Sequence, residues 1–249
     1  MSALPLLLVL AFLFLINTPI AITISIELIK LIITNSDYPL MIVIQRMYGG
    51  ADSFHLLAVP LFMYAGLLME KGGISRRLID LANALVGWLP GGLAAVTIVS
   101  AMFFAGISGS AAADTAAVDA IMIPAMKKSG YDGDFAAAVL ASGGSIGVII
   151  PPSIPMIIFG FLTGASIGQL FAAGILPGIM IGISLIIVTT ILSNKYGLTA
   201  VSHFSWQNLF QSFSRALLPL GAPIIILGGI LGGVFTATES AAAAGLVSR

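Results

Sequence analysis

Gly106-Ile-Ser-Gly-Ser-Ala-Ala-Ala-Asp114 and Gly144-Ser-Ile-Gly-Val-Ile-Ile-Pro-Pro-Ser-Ile-Pro155 are the stretches whose reading decides the fold. Each interrupts apolar sequence with residues that stop helices. Around the first lie two apolar arms, residues 91–107 and 115–126, both short of the about 20 residues a spanning helix needs. Arg76 and Arg77 precede the pair, and Lys127 and Lys128 follow it. Basic residues gather on the cytoplasmic side of a membrane, so both ends of the pair are expected there. Two short arms returning to one side read as a re-entrant hairpin over 91–127. The second stretch breaks an apolar run, 135–162, that is otherwise long enough to cross.

Composition sets the class around these two stretches. Of 249 residues, 59% are hydrophobic and 8% charged, and the mean hydropathy is +1.12. A soluble domain carries roughly 25% charged residues, so this chain reads as an all-α, multi-pass protein of the lipid bilayer. Ten basic and ten acidic residues cancel, and no basic patch points to nucleic acid. Cysteine is absent, which excludes thiolate metal sites and a cysteine nucleophile.

Further along, the run 4–33 is broken at Pro19, and Glu27 and Lys30 lie near its end at an expected interface. It has no basic start and no small-x-small cleavage site, so it reads as a retained span rather than a signal peptide. Residues 54–69 form the next apolar run. Residues 75–88 alternate Arg76, Arg77, Asp80 and Asn83 with leucines at helical spacing, the pattern of an amphipathic helix on the membrane surface. Residues 170–192 read as a plain span, 203–215 as a second surface helix, and 216–234 as another span. Residues 239–247 look like the start of a further helix. An inverted repeat, common among transporters, would then have its first copy here and only the start of its second.

Pro151 and Pro152 lack N–H groups, so the carbonyls of Gly147 and Val148 lose their partners four residues on. Bare carbonyls in a bilayer cost several kcal/mol each. A desolvated Na⁺ would satisfy them, and Gly143, Gly144 and Gly147 leave the backbone approachable. A plain proline kink is the alternative. At the hairpin tip, one arm ends in carbonyls that favour a cation and the other begins with N–H groups that favour an anion. Ser108, Ser110 and Thr115 add hydroxyls that suit either. Close packing of small residues explains Ala111, Ala112 and Ala113 but not Asp114. Asp114 fits a helix cap and a cation ligand equally, and Asp119 is a further candidate as an intramembrane carboxylate.

Two patterns carry less. Gly106-Ile107-Ser108-Gly109 resembles the nucleophile motif of intramembrane serine hydrolases, but such catalysis needs a base in reach. The histidines are His55, at a loop edge, and His203, in the second surface helix, so no enzyme is expected. Thr236-Ala237-Thr238-Glu239 has capping-box spacing, with a buried functional glutamate as the alternative.

Taken together, Gly106–Asp114 as quoted, Ile123-Pro-Ala-Met-Lys-Lys128 with Gly130-Tyr131, and Gly144-Ser-Ile-Gly-Val-Ile-Ile-Pro-Pro-Ser153 strongly resemble one family. It is the large membrane subunit of tripartite ATP-independent periplasmic (TRAP) transporters. Asn17-Thr-Pro-Ile20, Pro60-Leu-Phe-Met63 and Gly233-Val-Phe-Thr-Ala-Thr-Glu239 fit as well, with Ala237 standing where the family usually has proline. The resemblance implies a sodium-coupled elevator transporter of the bacterial inner membrane with no catalytic cofactor. It also implies a small four-helix membrane subunit and a periplasmic binding protein that delivers an organic carboxylate, a C4-dicarboxylate or sialic acid. On that pattern residues 1–73 are scaffold spans and 74–90 a surface arm. Residues 91–195 are half of the transport domain, with the hairpin at 91–127, the broken helix at 135–162 and a span at 170–192. Residues 203–215 form the second surface helix, and 216–249 begin the second repeat. Na⁺ would sit among Ser108, Gly109, Ser110 and Asp114 of the tip and Gly144, Gly147, Val148 and Pro151 of the break. The solute would meet Ser110, Ala112, Thr115, Pro152 and Ser153. A stand-alone divalent-anion sodium symporter is the neighbouring reading.

Overall fold

The computed structural model describes residues 3–35, 39, 41–200 and 202–247, and among these every regular element is helical. The chain divides into two units, Met1–Ser53 and Phe54–Arg249. In the first, α1 (Ala3–Leu15) and α2 (Ile20–Asn35) pack together, and α3 (Met41–Ala51) follows. The break expected at Pro19 is a full turn. Asn17 takes the left-handed conformation at φ 60°, and the Thr18 N–H donates to Leu13 O at 3.1 Å, closing α1.

The second unit runs α4 (Ala58–Lys71), α5 (Ile74–Val86), α6 (Gly92–Ser108), α7 (Ala111–Lys128) and α8 (Gly133–Gly144). A single 3₁₀ turn (Ser145–Val148) follows, then α9 (Ile154–Thr163), α10 (Ile167–Lys195), α11 (Trp206–Leu231) and α12 (Ala237–Val247). At 1.5 Å per residue, the 29 residues of α10 and the 26 of α11 extend about 43 and 39 Å. Both exceed the roughly 30 Å of a bilayer core, and both are apolar enough to cross one. α6 is the axis of the unit. Nearly all of it is buried, and α5, α7, α8 and α10 pack around it. Its Ala94, Ala95, Ala101 and Ala105 let those neighbours come close, as helices must when lipid supplies no hydrophobic drive between them.

α10 carries a groove that sequence reading missed. Gly174, Gly178 and Gly182 recur every fourth residue on one face and are all buried. A Cβ would lie 2.5 Å from Ile149 O at Gly174 and 2.5 Å from Ile150 Cγ1 at Gly178, and at Gly182 it would meet the Met102 side chain. The chain after the 3₁₀ turn is therefore seated in a glycine channel. Small residues four apart are the signal that would have found it.

One expectation is sharpened and one corrected here. α5 has the amphipathic pattern, with Arg76, Arg77 and Asp80 exposed, and its apolar face is packed on protein. Ile74, Leu78, Ile79 and Ala82 join a core cluster with Val96, Phe104 and Val118, while α11 packs on the same helix. A protein face and a membrane face ask for the same periodicity, so the pattern alone cannot separate them. Secondly, the surface helix expected at 203–215 and the span at 216–234 form one helix, α11, and His203 lies in the loop before it. Ser212, Ala216, Pro219, Ala222 and Ile226 make one buried stripe through the expected boundary. The helix continues along that buried stripe through the polar-to-apolar change.

Substituting Gly178→Val should overpack the groove against Ile150 and cost about 1–3 kcal/mol. Thermal unfolding of the purified full-length permease would show a lower midpoint. Gly221→Ala, which meets nothing within 4 Å, should leave the midpoint unchanged or raise it slightly.

Candidate functional site

The tip between α6 and α7 is made by Gly109 and Ser110. α6 closes on Gly109 in the left-handed conformation, φ 66°, which only glycine adopts freely. α7 opens at Ser110, whose extended backbone and hydroxyl cap Ala113 N at 3.5 Å. The capping role open to Asp114 is therefore filled by Ser110. Asp114, in the first turn of α7, is 1% exposed and accepts the Ser108 hydroxyl proton at 2.6 Å on Oδ1. The Ser108 oxygen in turn accepts from the Ser110 N–H at 3.0 Å. Asp114 Oδ2 is buried and has no hydrogen-bond partner.

The break meets the tip directly. The Ile154 N–H, left free at the start of α9, donates to Gly109 O at 3.1 Å. A Cβ at Gly109 would lie 2.6 Å from Pro152 O, so a larger residue would part the two stretches. On the other side, a Cβ at Gly147 would lie 2.6 Å from Asp114 Oδ2 and 3.1 Å from Ala111 Cα. The unpartnered carboxylate oxygen thus faces the backbone of Gly147, whose carbonyl Pro151 leaves without a helical donor. Gly144 packs against Thr115, whose hydroxyl donates to Ala111 O at 2.7 Å.

Of the residues expected in the cation site, Ser108, Gly109, Ser110 and Asp114 form the tip and Gly144 and Gly147 lie against it, while Val148 and Pro151 follow in the break. Two assignments change. The Val148 carbonyl accepts the Ser153 hydroxyl at 2.7 Å, which replaces the donor that Pro152 withholds. Ser153, expected to meet the solute, is fully buried and its hydroxyl is committed to that bond. Pro152 is also buried, whereas Ala112 is exposed and Ser110 half-buried. Of the residues expected to meet the solute, only Ala112 is fully open, and it shares an open face of α7 with Ala113 and Ala116. Asp119 is half-buried and stands apart from the contact. Among the described residues, no three His, Cys, Asp or Glu side chains gather as for a metal ion. Any cation here would rely on hydroxyl and carbonyl oxygens around one carboxylate, a donor set that suits Na⁺ more than a transition metal.

Ser108 hydrogen-bonds Asp114 and Ser110, so the histidine that the hydrolase motif would need as its base is not its partner. Thr236 and Glu239 form the capping box at α12: the Thr236 N–H donates to Glu239 Oε2 at 2.8 Å and the Glu239 N–H to Thr236 Oγ1 at 3.3 Å. Glu239 is exposed, not buried.

A small cavity of about 80 Å³ reaches Ser108, Ser110 and Asp114 from the side of α4. The sequence marks α4 as an apolar scaffold segment, and its periodicity carries no signal of contact with the tip.

Removing the Ser153 hydroxyl, as in Ser153→Ala, strands a buried carbonyl and should cost about 1–3 kcal/mol. The exposed Ser145→Ala should cost far less. Chemical denaturation of the two variants side by side checks the difference.

The comparisons with known proteins agree. Residues 7–248 match the family model described as the tripartite ATP-independent periplasmic transporter, DctM component. The chain is 45% identical over 207 residues to the 2,3-diketo-L-gulonate TRAP transporter large permease protein YiaN of Escherichia coli (strain K12), covering 83% of this chain and 49% of the relative. It is 38% identical over 234 residues to the C4-dicarboxylate TRAP transporter large permease protein DctM of Vibrio cholerae, covering 94% and 52%. To the sialic acid TRAP transporter large permease protein SiaM of the same species it is 40% identical over 223 residues, covering 90% and 52%. The chain spans about half the length of these curated relatives, each of them named a permease and none an enzyme. It belongs to the DctM component family of tripartite ATP-independent periplasmic transporters.

Proposed function

We propose that the chain is part of a sodium-coupled secondary transporter that moves an organic carboxylate across the bacterial inner membrane. The observation that carries this reading is the buried Ser108–Asp114 pair, locked to the proline break, with Asp114 Oδ2 unpartnered beside Gly147. A buried carboxylate oxygen without a partner is costly, and a cation bound there would offset the cost. The coupling ion would draw on Ser108, Ser110 and Asp114 from the tip and the Gly147 carbonyl from the break. Both stretches must be in contact for those oxygens to converge, so ion binding stabilises the tip in the form seen.

The solute would lie on the open face of α7, at Ala112 beside Ser110. There the N-terminal N–H groups of a helix favour a carboxylate. The remaining walls would come from other parts of the full permease. The names of those three relatives point to sugar-acid, C4-dicarboxylate and sialic acid solutes, all carboxylates, and another relative is named for isethionate, a sulfonate. The Ile154–Gly109 bond makes tip and break move as one body, which suits an elevator motion of a re-entrant hairpin. Family membership supports a small membrane subunit and a periplasmic binding protein as partners.

Uptake of labelled carboxylates into proteoliposomes holding the full complex tests this. Wild type should respond steeply to sodium, whereas Asp114→Asn and Ser108→Ala should lose most of that response, roughly tenfold or more for each charged or buried partner removed. Unchanged sodium dependence in the double variant would reject the site. Uptake that ignores the binding protein would indicate a stand-alone symporter instead.

A further inference from the structure

We infer that Gly66 of α4 is a positioning residue for the cation site, setting the distance between Ser108 and Asp114 although it contributes no ligand. The inference rests on the sodium-site reading above. α4 packs chiefly on α12, through Ala58, Phe62 and Ala65 against Ala237, Ala241 and Ala244. Toward its other end it touches the hairpin tip. A Cβ at Gly66 would lie 3.1 Å from Ser108 Cβ and 3.3 Å from Ser108 Cα. That is tighter than ordinary contact, so one partner must give.

Ser108 has little freedom to do so. Its oxygen is held by the Asp114 carboxylate at 2.6 Å and the Ser110 N–H at 3.0 Å. Its neighbour Gly109 is pinned by Ile154 and already abuts Pro152 O. The tip is wedged between α4 on one side and the break on the other. Any side chain at position 66 pushes Ser108 off Asp114 or the tip off the break, and either movement spoils the convergence of oxygens. Gly66 also lines the small cavity that reaches Asp114, together with Met63 and Phe104. A larger residue there intrudes on the same space.

Alanine is the better helix former, so on local propensity Gly66→Ala gains stability. A merely structural role therefore predicts no loss of sodium affinity. The positioning role predicts a split. In proteoliposomes with the full complex, Gly66→Ala should raise the sodium needed for half-maximal uptake roughly tenfold, the scale of an overpacked contact. At saturating sodium, the KM for the labelled carboxylate and the maximal rate should stay within about twofold of wild type on the same scale. Gly66→Ser should shift in the same direction and serves if the alanine variant does not assemble. Gly228→Ala, whose Cβ would meet nothing within 4 Å, is the control and should not shift. Wild-type sodium affinity in the position-66 variants, with Asp114→Asn still sodium-insensitive, would overturn the positioning role and leave the cation site standing. A normal sodium response in Asp114→Asn would remove both.

Discussion

The hydrogen bond from the Ile154 N–H to the Gly109 carbonyl joins the two places where this chain gives up helical hydrogen bonding. In a bilayer no water serves the groups released, so each must find a partner within the protein. The tip and the break answer each other. A carbonyl at the end of α6 takes the free donor at the start of α9. Within the break, the Ser153 hydroxyl replaces the donor that Pro152 lacks. Within the tip, the Ser110 N–H finds the Ser108 oxygen.

This interlock explains why small residues crowd the middle of the sequence. Polar backbone atoms can meet only if the helices carrying them approach closely. Gly109 faces Pro152, Gly147 faces Asp114, and Gly144 faces Thr115. The glycines of α10 receive Ile149 and Ile150 from behind, holding the break against the hairpin. One buried group is left over in the contact, Asp114 Oδ2. The proposed function follows from that remainder: an unpartnered carboxylate oxygen beside the backbone of Gly147 is where a small cation would be stabilised.

The surrounding helices enclose the contact. α5 covers one side of α6 with an apolar face, and α11, whose buried stripe includes Pro219, packs on α5. α4 reaches the tip with a glycine, where a Cβ would lie 3.1 Å from Ser108 Cβ. The interlock is thus enclosed by elements whose sequences, taken one at a time, look like ordinary membrane helices.

The sequence by itself determined the membrane class, the paired arms around Ser108–Asp114, the proline break and the capping box at Thr236–Glu239. These rest on local rules: apolar run length, missing N–H groups and three-residue spacing act within one segment and need no partner. Only the tertiary structure decided which side of α5 meets protein, that α11 is one helix, that Ser110 rather than Asp114 caps α7, and that the Ser153 hydroxyl is committed to Val148. It alone brought Gly66 and the glycines of α10 to the site. Each of these depends on what lies across a gap of a few ångströms, contributed by residues distant in the chain. A periodicity or a propensity carries no record of that neighbour.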